Sequence, residues 1–230
     1  MEKSQIKVII TGVTGMVGEG VLHECLLSPF IQEVLIIGRR PCGIQHAKIK
    51  ELILADFMQP AEITPLVKDY DACFFCLGVS SLGMNEIDYT QKTHQLTTAF
   101  AKSILSNNAN MSFVYVSGVG TDRTENGRIM WARVKGKTEN DLALMGFNRF
   151  YAFRPSLIFP TVGLKNALPF YRYVQWMYPF LRKWMPSMVS TLEEVGKSMI
   201  YLGLKGCDKN VIEVKDIVET SQNYDLLLKN

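Results

Sequence analysis

The run Thr11-Gly12-Val13-Thr14-Gly15-Met16-Val17-Gly18 carries the most informative chemistry in this sequence. It directly follows an apolar segment and opens an amphipathic one, the strand–turn–helix context in which glycines cradle a phosphate. Gly12 permits the tight turn, Gly15 lets the backbone approach a pyrophosphate, and Gly18 removes a side chain where helix meets strand. The helix N-terminus then offers free N–H groups and a favourable dipole to the anion. About 20 residues on, a site for NAD normally carries an Asp or Glu for the ribose 2′-OH. Here the second apolar run ends Ile37-Gly38-Arg39-Arg40, with no acid. Two guanidiniums suit a 2′-phosphate instead, so NADP is favoured over NAD, unless these are only solvated loop charges. Asp56-Phe57 closes a third run, where an acid could accept a bond from the adenine amino group. Leu77-Gly78 closes a fourth, where a glycine lets the backbone pass the nicotinamide ribose.

The elements that would hold these residues alternate in type. Strands are expected at 7–11, 33–37, 50–54, 72–77, 112–116 and 149–153, with helices at 16–27, 89–106 and 130–145 between them. Strands apolar on both faces and separated by helices imply a doubly wound α/β fold, a parallel sheet covered on both sides. We expect a dinucleotide-binding core over residues 1–155 and a small substrate lobe and tail over 156–230, together one Rossmann-like domain. In the last third, Thr191 and Glu194 form a capping-box pattern, Gly206 suits a helix C-terminus, and 211–214 is β-like.

Composition narrows the function classes. The chain has 230 residues, 47% of them hydrophobic and 20% charged, which fits a folded protein and excludes disorder. Its net charge of +3 gives no reason to expect a nucleic-acid partner. There is no run of about 18 uncharged apolar residues and no signal-peptide pattern at the N-terminus. Cys73 and Cys76 make a C-x-x-C, but positions i and i+3 of a strand face opposite sides, so both read as core fillers. His23, His46 and His94 lack metal-ligand spacing. These features lead to the expectation of a cytoplasmic, metal-free protein.

The glycine run, Asp56-Phe57, Leu77-Gly78, Tyr115-Val116-Ser117 and Arg154-Pro155 together resemble the extended and atypical short-chain dehydrogenase/reductase superfamily, often labelled NAD-dependent epimerase/dehydratase-like. Val134-Lys135-Gly136-Lys137-Thr138-Glu139 is similar to the small members akin to the Tat-interacting oxidoreductase-like proteins. The resemblance covers roughly residues 6–160. It implies that Arg154 and Pro155 border the cofactor and that Ser117 orients a substrate oxygen. It also implies that Lys135 holds the nicotinamide ribose while lowering the pKa of a Tyr four residues earlier, the general acid/base.

That Tyr position holds Trp131, whose indole N–H donates a hydrogen bond but does not exchange protons near neutral pH. Tyr201 and Lys205 repeat the spacing by coincidence, lying beyond Arg154-Pro155 with no Ser-bearing strand before them. Tyr115 shares a strand face with Ser117 but is expected to sit too deep to reach a substrate. From the residues themselves, Ser117 could equally be turn chemistry, Lys135 an exposed helical lysine, and Trp131 either a core or a pocket residue. Residues 168–185, rich in aromatics, Pro and Arg, have three readings: a substrate-pocket lining, a membrane-surface or partner patch, or packing of the lobe on the sheet. The leading expectation is an NADP-binding oxidoreductase acting on a small carbonyl or alcohol. The alternative is a non-catalytic NADP-binding sensor or docking module.

Overall fold

Alternating side-chain direction along the apolar runs divides the interior into two layers, one on each face of a central sheet. In the computed structural model, which describes residues 4–60, 63, 66–166 and 175–229, β1 (Ile6–Thr11) sends Val8 and Ile10 into one core and Ile9 into the other. The remaining strands of the sheet are β2 (Ile31–Gly38), β3 (Ile49–Ile53), β4 (Ala72–Phe75), β5 (Ser112–Val116), β6 (Arg149–Arg154) and, after the short β7 (Leu157–Phe159) and β8 (Val189–Thr191), β9 (Val211–Glu213). Their order is β3-β2-β1-β4-β5-β6-β9, and every pairing is parallel. β7 and β8 form a separate parallel pair. This is the doubly wound parallel sheet expected from the alternation of elements.

Helix α1 (Met16–Leu27) covers one face of the sheet. On the other lie α2 (Glu86–Thr90), which continues through a π-helical turn (Gln91–Gln95) into α3 (Leu96–Leu105), and α4 (Met130–Leu144). The helix starts at Glu86 rather than near Tyr89 because Asn85 caps it, its side chain accepting from the Asp88 N–H at 2.9 Å. β4 ends at Phe75, two residues early, because the Leu77 N–H turns to the Thr11 hydroxyl at 3.2 Å. Cys73 and Cys76 are free thiols that belong to opposite cores, so the C-x-x-C is packing.

The last third of the chain is woven into the main body. After α5 (Tyr178–Trp184) come α6 (Leu192–Leu204) and α7 (Val214–Leu227), both packed on the α1 side, while β9 extends the sheet beside β6. The capping box of α6 forms: the Thr191 side chain accepts from the Glu194 N–H and the Glu194 side chain from the Thr191 N–H. Gly206 follows the helix at φ +76, the left-handed conformation a C-terminal cap requires.

Where α1, α6 and α7 meet, Glu24 is 7% exposed and its carboxyl is pushed up to about 7. Burial is the main cause and the charges of Glu193 and Asp225 add to it, while Lys197 opposes; His23 lies 4.0 Å away. Because the fold favours the protonated acid, this group's contribution is best at low pH and is lost as pH rises from the unfolded value of 4.5 through 7. Glu24→Gln should therefore be more stable than the parent above pH 7, by up to about 3 kcal/mol, and equal to it near pH 4. Thermal melts across that range check this; a gain that does not vary with pH would contradict it.

Candidate functional site

The C-terminal ends of β1, β2 and β4 converge on one small open cleft lined by Gly12, Val13, Thr14, Gly38, Arg39, Arg40, Phe57 and Leu77. Six of these eight were expected from the sequence; Val13 and Gly38 join because their neighbours bring them. Gly12 turns at φ +74, and a Cβ there would stand 2.7 Å from the Cys76 carbonyl and the Leu77 nitrogen. A Cβ on Gly18 would lie 2.2 Å from the Gly12 oxygen. Both glycines let backbone pass backbone, Gly12 against the chain that leaves β4 and Gly18 against the turn itself. At Gly15 the nearest atom to a Cβ would be the Gly12 oxygen at 3.4 Å, so its bare face leaves room in front of α1. This residue is the N-cap of α1 and has no side chain to cap it, leaving the amides of Met16, Val17 and Gly18 at the helix mouth. That cradle fits a pyrophosphate.

Around it the expected residues divide. Arg39 and Arg40 are exposed at the cleft, and among the described residues neither is held in an ion pair. Asp56 is exposed, one carboxylate oxygen accepting from the Met58 N–H at 2.8 Å within its own turn. Phe57, which lines the cleft, is 2% exposed and stacks on Phe100. Gly78 faces open space. Met16 and Val17 are partly buried and pack on the core, and Met16 also touches the cluster of Phe159, Val189, Tyr178 and Leu181.

On the other side of the sheet centre, Lys135 lies one turn after Trp131 on α4 and donates from Nζ to the Ser117 carbonyl at the end of β5. Lys135 is partly buried, and desolvation pushes its ammonium down to about 8 despite the opposing charge of Glu139. Ser117 is 2% exposed and its hydroxyl donates to the Phe153 carbonyl at 3.3 Å. Its side chain is therefore tied to β6, and the Ser117 group in contact with Lys135 is its carbonyl. Trp131 lays its ring edge over Gly120, 3.4 Å from where a Cβ would stand, in the turn that follows β5. Tyr115 is 1% exposed, as deep as expected, and burial pushes its phenol far up. Tyr201 and Lys205 lie at the far end of α6, beside Arg149 at the start of β6 and away from this cleft.

Arg154 needs a correction. Its Nε and one terminal nitrogen donate to the two oxygens of Glu139, at 2.9 and 2.6 Å, and its other terminal nitrogen donates to Glu213 at 3.1 Å. All three nitrogens are committed inside the protein, so the side chain is a strut between α4, β6 and β9 rather than a cofactor contact. Pro155 likewise serves the scaffold through its carbonyl, which accepts from the Val119 N–H at 2.9 Å. Glu139, fully buried, was missed in the sequence; its spacing of four from Lys135 on a helix is the signal that could have found it.

The comparisons with known proteins agree with this geometry. The profile of the NAD dependent epimerase/dehydratase family matches residues 8–122, half of the chain, from β1 through the turn after β5. The chain belongs to this family. Its fold is the family's NAD(P)-binding Rossmann fold, and the protein is an atypical short-chain dehydrogenase/reductase-like member. It is similar to the mitochondrial protein FMP52-1 of Scheffersomyces stipitis, 26% identical over 164 residues that cover 69% of this chain and 72% of that one. It is also similar to the HTATIP2 protein of Rattus norvegicus, 26% identical over 160 residues that cover 66% of this chain and 62% of that one. The match thus spans under two thirds of the rat protein's length. Among solved structures, the Bordetella bronchiseptica enzyme WbmF in complex with NAD+ superposes with a TM-score of 0.66 at 13% identity, covering 99% of this chain and 80% of that one. A UDP-N-acetylglucosamine 4-epimerase from Methanobrevibacter ruminantium gives 0.64 at 16% identity, covering 94% and 81%.

One expectation from the sequence falls here. A cytoplasmic location was inferred from the lack of a targeting pattern, yet several relatives of this family member, including those of Scheffersomyces stipitis and Emericella nidulans, are named mitochondrial. Among the described residues no helix is long and apolar enough to cross a membrane.

Proposed function

We propose that this family member is an NADP-dependent oxidoreductase acting on a small carbonyl or alcohol. The observation that carries the reading is the meeting of Arg39 and Arg40 with Gly12, Val13 and Thr14 of the glycine turn in one cleft. The turn and the first amides of α1 would hold the pyrophosphate, and the two guanidiniums the 2′-phosphate. NADP would supply the hydride. Lys135, placed beside the Ser117 carbonyl, would hold the nicotinamide ribose, and Trp131 would wall the site where the family has its Tyr. Residues 1–155 would then form the cofactor half, and 156–230 would bring the substrate lobe. An ammonium near 8 is matched to donating a proton at neutral pH, so Lys135 is also our candidate for that step.

Arg39→Ala is expected to weaken NADPH binding about 10-fold to 100-fold while leaving NADH binding nearly unchanged, since a charge-assisted hydrogen bond is worth roughly 1.5–3 kcal/mol. Titration calorimetry with both nucleotides reads this directly. Equal losses for the two, or a parent protein that prefers NADH, would sink the NADP reading.

Trp131 favours a second reading, a non-catalytic NADP-binding sensor or docking module. Consumption of NADPH with any of a panel of aldehydes, ketones and quinones would exclude that reading. Tight NADPH binding with no turnover across the panel would favour it.

A further inference from the structure

Helix α5 is held firmly on one side and open on the other. Its inner face is pinned: the Tyr178 ring packs edge-on against Phe159 at 5.0 Å, and Leu181 joins Phe159, Val189 and Met16. The Arg182 guanidinium donates to the Val189 carbonyl at 2.7 Å and to Glu194 at 2.6 Å. On the outer face lie Phe180 and Trp184, 66% and 68% exposed, and four residues before Phe180, in the 3-10 turn Gln175–Met177 that leads into the helix, Trp176 is 78% exposed. Phe180 and Trp184 lie side by side at 5.9 Å, and Met185 and Met188 extend the apolar surface. Of the three readings of residues 168–185, packing on the sheet fits Tyr178 and fails for these three rings. Residues 168–174 lie outside the described part of the chain.

Along the chain, the segment that carries the stripe has charge of one sign, and the acids that reach it from elsewhere, Glu194 at Arg182 and Glu19 at the Lys165 and Asn166 amides, are engaged in hydrogen bonds. Between Asp141 and Glu193 the sequence contains no Asp or Glu, although the chain has 22 of them. The same stretch carries Lys165, Arg172, Arg182 and Lys183, and Lys165 and Lys183 are exposed. A protein partner would need a shaped pocket for three protruding rings. A bilayer needs only depth and negative charge, and Trp favours its interface because the ring is apolar with one polar N–H. Large exposed apolar patches flanked by basic residues are a feature of membrane-surface proteins.

We propose that the outer face of α5 docks this protein peripherally on an anionic lipid bilayer, with Trp176, Phe180 and Trp184 entering the headgroup layer and Lys183 and Lys165 meeting lipid phosphates. The inner face of the same helix packs on the Phe159–Val189 cluster against which Met16, the first residue of α1, also packs, so docking would place the cofactor cleft near the membrane surface.

Flotation of the full chain with phosphatidylcholine vesicles containing about 30% phosphatidylglycerol tests this. The parent protein should float with these vesicles, and its Trp emission should shift to the blue. It should float at least about 10-fold less with pure phosphatidylcholine. The triple variant Trp176→Ser, Phe180→Ser, Trp184→Ser should lose flotation while keeping its circular dichroism and NADPH affinity, and Lys183→Glu alone should weaken it. Failure of the parent to float, or equal flotation of the triple variant, overturns the proposal. So does a change from dimer to monomer in the triple variant without any lipid binding by the parent, because the face would then join two copies of the chain.

Discussion

Trp131→Tyr is expected to raise kcat/KM for NADPH-dependent reduction by about 10²-fold to 10⁴-fold, the usual contribution of a positioned general acid. Residue 131 lies one helical turn before Lys135 on the same face of α4, so a phenol there would stand beside the ammonium that Ser117 holds in place. A neighbouring positive charge lowers a phenol's pKa and readies it to exchange a proton near neutral pH. The indole it replaces packs over Gly120 at the edge of the site, so the smaller ring should be accommodated without disturbing the core. Steady-state kinetics on the carbonyl panel, for parent and variant at matched NADPH saturation, measure the gain. An unchanged rate with unchanged NADPH affinity would overturn this prediction and leave the proton step with Lys135, whereas activity that appears only in the variant would mean that the parent is not an oxidoreductase in the simple form proposed.

Glu139→Ala should destabilise the fold by about 3–5 kcal/mol, the cost of stranding a buried charge by removing its partner. Glu139 is completely buried and accepts from two nitrogens of Arg154, whose side chain is only 13% exposed. Without it, Arg154 keeps only the half-exposed Glu213. The same carboxylate is the charge that holds the Lys135 ammonium up against desolvation, so its loss should push Lys135 below its value of about 8. Chemical denaturation would show a lower midpoint at unchanged slope. A loss under about 1 kcal/mol would mean the pair behaves as a solvated surface ion pair.

Much of this protein could be read from its sequence because the relevant signals are local. The glycine run identifies itself through backbone sterics within eight residues, and the apolar alternation marks six strands of the sheet to within two or three residues. The helix start at Asn85 was missed because an Asn side chain can serve a turn or a cap equally well. The location failed for a different reason: the expectation rested on a pattern that was absent, which says nothing about where a protein goes.

The C-terminal segments were harder to place. β9 is a three-residue strand with little periodicity of its own, and it becomes a strand by pairing with β6. Arg154 was expected at the cofactor because the Arg154-Pro155 pair is part of the resemblance to the family. Its assignment changed because Glu139, on a helix 15 residues earlier, and Glu213, on a strand 59 residues later, both converge on it. The hydroxyl of Ser117 is likewise turned away from the site by a carbonyl 36 residues distant.

By itself, then, the sequence determined the parallel α/β architecture, the glycine-rich turn and the basic residues beside it, since each depends on neighbours along the chain. Only the tertiary structure decided which polar groups are left to act. A buried charge or hydroxyl must be satisfied by whichever partner the fold brings within 3 Å or so, and that partner's distance in sequence carries no local signature. Tertiary packing likewise set one face of α5 against Phe159 and Val189 and left the rings of Phe180 and Trp184, with Trp176 just before the helix, in solvent.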